Sequence, residues 1–264
     1  MQSTPPTIDG ISDAQDQARI FLQQQLRFSA TNELRPHVTL TFAQSSDGKI
    51  AGSGKKQLAL SGKESMVMTH QLRSLHDGIM VGIGTVLNDN PQLNARLLSP
   101  PLAVDRLPRP VVLDSMLRMP ITSKLIRNYA EGNGRQPLVF CSASADPSLQ
   151  TGLEALGVEV VRVREARAEG QRPTLDWHKI LERLHRLGIR RLMIEGGASV
   201  IDSLMDNQTL VDALLVTVAP TTVGPDGFGF SAPLPSRQID DEVSDWASVA
   251  STNFGRDDVI LWQK

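Results

Sequence analysis

The chain is short of cysteine, aromatic residues, net charge and long apolar runs, and each shortage removes a class of function. There is one cysteine, Cys141, in 264 residues. No intramolecular disulfide can form and no thiolate metal cluster can be assembled. Cys141 lies within LVFC, where a small buried hydrophobe is the expected role. Aromatic residues make up 4 % and the net charge is −2. That provides neither the stacking platform nor the basic footprint that nucleic acid or an anionic membrane requires. No stretch approaches the roughly 20 apolar residues that span a bilayer. The N-terminal MQSTPPTIDGISDAQDQ is polar and acidic, unlike a secretory signal or an Arg-rich transit peptide. A reducing, cytoplasmic setting is therefore expected, with no nucleic-acid and no membrane partner. The histidines, His37, His70, His76, His178 and His185, form neither H-x-E nor H-E-x-x-H. With a single cysteine this leaves no zinc signature, so no metal is expected. Neither G-x-S-x-G nor a Walker A loop occurs.

Hydrophobic residues at 40 % and charged residues at 21 % are ordinary for a globular chain. Short apolar runs alternate with helical stretches. Strands are expected at 37–43, 78–83, 109–114, 137–142, 158–163, 190–196, 213–220 and 257–263. Most are continuous rather than alternating, as strands covered on both faces are. Helices fit 63–76, 147–156, 176–187 and 198–206, with an amphipathic helix over 13–28. Residues 1–12 read as disordered, and 167–173 and 233–242 as surface loops. The alternation predicts a single three-layer α/β/α domain, with a mostly parallel central sheet and antiparallel C-terminal strands. The expected layout is an N-terminal extension with a short helix over 1–30 and the main domain over 31–264.

Four segments carry chemistry. GTVLNDNPQLNAR, 84–96, follows an apolar strand and holds Thr85, Asp89, an Asn90-Pro91 turn and Arg96. Strands that stop at glycines and deliver polar groups build ligand sites in α/β folds. A plain capped helix is the alternative. LMIEGGASVIDSL, 192–204, places Glu195, Gly196 and Gly197 between a strand and a helix. Such a turn lets a phosphate approach the backbone at the positive end of a helix; a tight βα turn is the plain reading. The loop over 41–65 is rich in glycine, serine and lysine. It is either mobile surface or a lid, and its Lys49, Lys55, Lys56 and Lys63 could steer a phosphate. Arg73 lies on a helix just before the second strand and is either half of a phosphate clamp with Arg96 or a solvent-exposed helix arginine. A phosphate-friendly GG turn without metal ligands suits a nicotinamide cofactor.

HVTLTFAQSSDGKIA, GIGTVLNDNPQLNAR, RPVVLDS and MIEGGASVIDSL, in that order, resemble the riboflavin-pathway reductase family, and most closely its free-standing fungal form. The resemblance spans about residues 35–263. It implies a dihydrofolate-reductase-like fold, NADPH as cofactor, a phosphorylated pyrimidine substrate and a homodimer. It also implies hydride transfer to C1′ of a ribosylamine that has opened to an imine. Matched to the family, Ala43, Val67, Thr85, Asp89, Val161 and the turn and helix start Gly196, Gly197, Ala198, Ser199 and Val200 are cofactor contacts. Ser65, Arg73, Leu93, Arg96 and Glu195 are substrate contacts, with the arginines toward the phosphate. Asp47 and Glu195 are the protein's candidates for proton donor; water or the substrate's own nitrogen are the others. Thr41 stands where the bacterial pattern has a lysine, so no role of that lysine transfers. Dihydrofolate reductase proper, or a nucleotide-binding paralogue without turnover, are the rival readings. The apolar ALLVTVAP strand is the expected dimer surface.

Overall fold

The computed structural model describes residues 8–28, 34–55, 58–166, 174–229, 234–236 and 246–264. Seven α-helices are found among them, numbered in chain order: α1 (Ile8–Gln25), α2 (Lys63–Arg73), α3 (Ile83–Asp89), α4 (Lys124–Ala130), α5 (Pro147–Glu154), α6 (Trp177–Arg186) and α7 (Ala198–Met205). The strands are β1 (His37–Ser45), β2 (Gly78–Gly82), β3 (Arg109–Leu113), β4 (Leu138–Ser142), β5 (Glu159–Val163), β6 (Glu165–Ala166), β7 (Thr174–Leu175), β8 (Arg191–Ile194), β9 (Ala213–Ala219), β10 (Ser248–Phe254) and β11 (Asp257–Gln263).

Nine strands form one sheet in the order β10-β11-β9-β1-β8-β2-β3-β4-β5. Pairing is parallel from β9 through β5 and antiparallel where β11 meets β9 and β10. This is the predicted arrangement, and its cause is the predicted one. Helices intervene between the strands that run parallel, whereas β10 and β11 are joined by a tight Gly255-Arg256 turn. A two-residue connection can only reverse the chain.

The continuous apolar strands divide their side chains between two faces. Ile79, Val81, Val112, Val139 and Leu215 pack with α1 to α5 through Phe21, Leu22, Met68, Leu72, Val86, Leu125 and Leu153. Met80, Val111, Phe140, Leu192 and Leu214 pack with α6 and α7 through Ile180, Leu184, Val200 and Leu204. The three layers follow from this period-two split of runs that look uniform in sequence.

Several boundaries differ from the expectation. Helix α1 starts at Ile8 and ends at Gln25, so its first residues fall within the stretch read as disordered; residues 1–7 lie outside the described ones. Helix α4 and strand β10 were not foreseen, and α3 was only the alternative reading of its segment. Strand β9, expected to offer a dimer surface, lies inside the sheet between β1 and β11, with five of its seven residues fully buried and paired on both edges. It has no free edge or face to present, because an apolar run flanked by two partners is core. The loops expected at 167–173 and over most of 233–242 lie outside the described residues.

Candidate active site

A cleft of about 850 Å³ opens at the carboxyl end of the parallel strands. Its walls come from the ends of β1 (Phe42, Ala43), β2 (Gly82) and β3 (Leu113), from Glu195 just after β8, and from the first turns of α3 and α7. This is where an open parallel sheet places ligands, since the chain leaves neighbouring strands toward opposite faces there. The order β1-β8-β2 marks that divergence: β1 and β2 leave to the α1–α5 side and β8 leaves to the α7 side.

The floor is built from glycines. Gly82 closes β2 and donates its N–H to the Gly196 carbonyl at 2.8 Å. Gly196 has φ +105°, a conformation that side chains oppose, and a Cβ on Gly197 would sit 3.1 Å from Thr85 Oγ1. The peptide between the two glycines is cis. Backbone therefore meets backbone where side chains would fill the cleft. Gly197 caps α7 without a side chain, and the Ala198 and Ser199 amides of the first turn have no partner inside the helix. Both residues line the cleft, as a dinucleotide pyrophosphate requires.

Thr85 sits within α3 rather than at its cap, and Asp89 closes that helix. Both face the cleft. The Asp89 carboxyl is pushed above the ordinary carboxylate range by burial. Asn90 ends α3 in a left-handed conformation at φ 43°, and its Oδ1 accepts from the Lys124 N–H at 2.8 Å. The segment is thus a helix, as its plain reading had it, though its N-cap is Gly82 and Asn90 closes it at the C-terminal end.

At one end of the cleft Glu195 accepts a fork from Arg73, Nε to Oε1 at 2.6 Å and Nη2 to Oε2 at 2.7 Å. Arg73 Nη1 also donates to the Asn94 carbonyl at 3.0 Å. Arg96 lies beside this pair; burial, then repulsion from Arg73, lowers its pKa while Glu195 opposes the shift. Arg96 has no ion-pair partner among the described residues. The expected two-arginine clamp therefore becomes one arginine neutralised by Glu195 and one with its charge unmatched. Arg118, on the turn after β3, also lines the cleft.

Glu195 lines the cleft, but Arg73 and Arg96 stand behind it and are not themselves in the wall. Asp47, Ser65, Leu93, Val67 and Val161 are also placed away from the lining. Asp47 accepts from Ser45 Oγ at 2.6 Å and from the Val223 and Gly224 N–H groups. These hydrogen bonds, the Ser45 one foremost, hold its pKa down at about 2. Its carboxylate fastens the 221–224 turn to the end of β1 and keeps no proton to donate near neutrality. Ser65 is fully buried, donating to Asp257 Oδ2 and to the Gly62 carbonyl. Leu93 and Val67 are buried in the core. Val161 lies on β5, three strands beyond β2 in the sheet. Lys49 and Lys63 are not in the cleft wall, and Lys56 and the side chain of Lys55 lie outside the described residues. The 41–65 loop does reach over the site through Ile50, Ala51 and Leu58 to Ser61. It is tied to Phe228 by Ile50 N–H to Phe228 O and Phe228 N–H to Ala51 O, both 2.8 Å. Sequence reasoning missed Leu113, Arg118, Asn88, Met66 and Phe228 in the wall. Arg118 had a signal, a position just past an apolar strand; Phe228 had none, because its approach depends on long-range pairing.

The model of the RibD C-terminal domain family matches residues 36–257. A curated relative from Debaryomyces hansenii, 2,5-diamino-6-ribosylamino-4(3H)-pyrimidinone 5′-phosphate reductase, is 37 % identical over 79 % of this chain and 84 % of its own length. The protein of the same name from Saccharomyces cerevisiae is 33 % identical over 81 % and 84 %. Among solved structures, the riboflavin biosynthesis reductase Rib7 of Saccharomyces cerevisiae aligns with a TM-score of 0.70 at 28 % identity, covering 92 % of this chain and 97 % of that one.

Proposed function

The chain belongs to the RibD C-terminal domain family, and on that premise we propose that its cleft is the active site of a pyrimidine ribosylamine reductase in riboflavin biosynthesis. It reduces the ribosyl side chain of 2,5-diamino-6-ribosylamino-4(3H)-pyrimidinone 5′-phosphate to the ribityl product, the activity its relatives are named for. The observation that carries this reading is the glycine floor between Gly82 and Gly197, next in sequence to Glu195, which pairs with Arg73 and lies within electrostatic reach of Arg96. The cofactor is NADPH, which supplies the hydride when bound. The close backbone approach at Gly197 and the Ala198 and Ser199 amides fit a pyrophosphate. Thr85, Asp89, Ala43 and Val200 border the remainder of the cofactor, and Gly196 supports the turn from below. Val67 and Val161 contribute packing rather than contact.

On the substrate side, Arg96 takes the 5′-phosphate. Arg73, held and neutralised by Glu195, orients the Asn94 carbonyl. Glu195 acts by fixing Arg73 and lining the cleft. With Asp47 fully hydrogen-bonded as a carboxylate and Glu195 in a bidentate pair, the proton that accompanies reduction comes from water or from the substrate's own nitrogen. The protein's work is orientation and exclusion of water. A cytoplasmic homodimer completes the reading, with a contact surface other than β9.

The test is NADPH oxidation with the phosphorylated substrate and with its dephosphorylated form. A charge-assisted bond to a phosphate contributes about 1.5–3 kcal/mol. Arg96→Ala is expected to raise KM for the phosphorylated substrate roughly ten- to a hundredfold and to spare NADPH affinity. On the dephosphorylated compound the variant and the wild type converge. Equal loss on both compounds would remove the phosphate from Arg96.

A further inference from the structure

Helix α2 carries a side chain that the site as described does not use. His70 is fully buried. Its Nδ1 accepts the backbone N–H of Arg96 at 3.1 Å. An accepting Nδ1 leaves the hydrogen of the neutral ring on Nε2, and Nε2 is buried with no hydrogen-bond partner among the described residues. Burial, with Arg73 and Arg96 nearby, pushes the imidazole pKa down to about 3, so the ring is neutral at working pH.

The segment that receives this bond is irregular and is held by side chains rather than by secondary structure. No helix or strand is formed between Asn90 and Ala103, and Leu93 turns through φ 47°. Leu93 and Ala95 are buried while Arg96 projects outward. Two residues one turn apart on α2 grip successive peptides of the segment: Arg73 holds the Asn94 carbonyl and His70 holds the Arg96 N–H. A residue selected only to fill this part of the core would be apolar, because a buried N–H without a partner costs stability. The imidazole stands against that cost where it touches two backbone positions of the segment, accepting the Arg96 N–H and lying close enough to the Asn94 backbone to oppose the fall in its pKa, beside the backbone of a cation that has no ion-pair partner among the described residues.

We propose that His70 is a positioning residue for the substrate's phosphate end, presenting Arg96 through a hydrogen bond from the Arg96 backbone. This rests on the assignment of the 5′-phosphate to Arg96. It predicts an effect on substrate KM without an effect on the chemical step or on NADPH.

Steady-state KM and kcat, NADPH affinity by fluorescence and thermal melting are measured for His70→Leu, His70→Asn, His70→Gln, Arg96→Ala and the double variant His70→Leu/Arg96→Ala. His70→Leu is expected to raise KM about tenfold, with kcat and NADPH affinity unchanged and no loss in melting temperature. His70→Asn puts an oxygen where Nδ1 lies and restores most of the affinity. His70→Gln reaches toward Nε2 instead and does not. In the Arg96→Ala background His70→Leu adds nothing, because the group it positions is gone. An unchanged KM in His70→Leu beside a raised KM in Arg96→Ala overturns the role of His70 alone. An unchanged KM in Arg96→Ala overturns the phosphate assignment and this proposal with it. If His70→Leu does not fold, equal KM values for the Asn and Gln variants overturn the proposal.

Discussion

At the scale of single residues, the cleft is organised by how its cations are matched. Arg73 is cancelled by Glu195 at hydrogen-bond distance. Arg96 has no carboxylate. Arg118 is an intermediate case: its Nε lies 3.7 Å from Asp114 Oδ1, and its side chain is 58 % exposed. Asp114 is itself fully buried and accepts the Met119 N–H at 2.8 Å. That bond folds the turn after β3 so that Arg118 reaches the cleft wall. A guanidinium on the cleft wall is suited to the 2′-phosphate that distinguishes NADPH from NADH. Arg118→Ala should therefore cut kcat/KM with NADPH by about tenfold, the lower end of a charge-assisted bond because the site is open to solvent. With NADH it should change little. Parallel loss with both cofactors would show that Arg118 does not read that phosphate.

At the scale of elements, the strands that carry the site were legible because each is an apolar run of four to nine residues ended by a polar or glycine signal. The eight expected strands are all present, within one or two residues at most ends. Strand β10 was not legible. Its sequence, SVASTNF, is polar and half-exposed, and only pairing with β11 makes it a strand. Helices α3 and α4 are seven residues each, too short to show a helical period. Side-chain roles were less legible than elements. Nothing in sequence separates Arg73 from Arg96; the fork to Glu195 needs β8 and α2 brought together across 122 residues. The GG turn was legible as a strand-to-helix turn, but its packing partner Thr85 was not. That contact sets a measurable cost. Gly197→Val would force a side chain against Thr85 Oγ1, 3.1 Å from the Cβ position. Overpacking of this kind costs about 1–3 kcal/mol, and the branched group would also stand where the pyrophosphate approaches. NADPH affinity should fall at least about tenfold, measured by fluorescence titration on protein shown to be folded. Unchanged affinity would move the pyrophosphate away from this turn.

At the scale of the whole molecule, the fold stores neutral histidines in its interior, and this fixes how it responds to acid. His76 is fully enclosed between α2 and β1. Its Nδ1–H donates to the Leu72 carbonyl at 2.8 Å, and its Nε2 accepts from Thr39 Oγ1 at 2.9 Å. Burial lowers the pKa of His76 to about 3, does the same for His70, and lowers that of His37. A histidine at about 3 when folded and 6.5 when unfolded binds its proton first in the unfolded chain. Its stabilisation is complete above 6.5 and is lost progressively as the pH falls toward 3. Between pH 7 and pH 5 the loss is about 2 kcal/mol for each of His70 and His76. Asp89 and Asp114 act with the opposite sign, because burial raises their pKa values and the folded chain takes up those protons first. A raw acid melt would mix the two. Comparison with His76→Gln separates them: glutamine can reach Thr39 and does not titrate. The variant should be somewhat less stable at pH 7, through loss of the Leu72 bond, yet lose about 2 kcal/mol less than wild type on going to pH 5. That difference corresponds to several degrees in melting temperature for a domain of this size. Identical pH slopes in the two proteins would mean that His76 is charged in the folded state or exposed by local opening. The neutral-core account of the acid response would then fail.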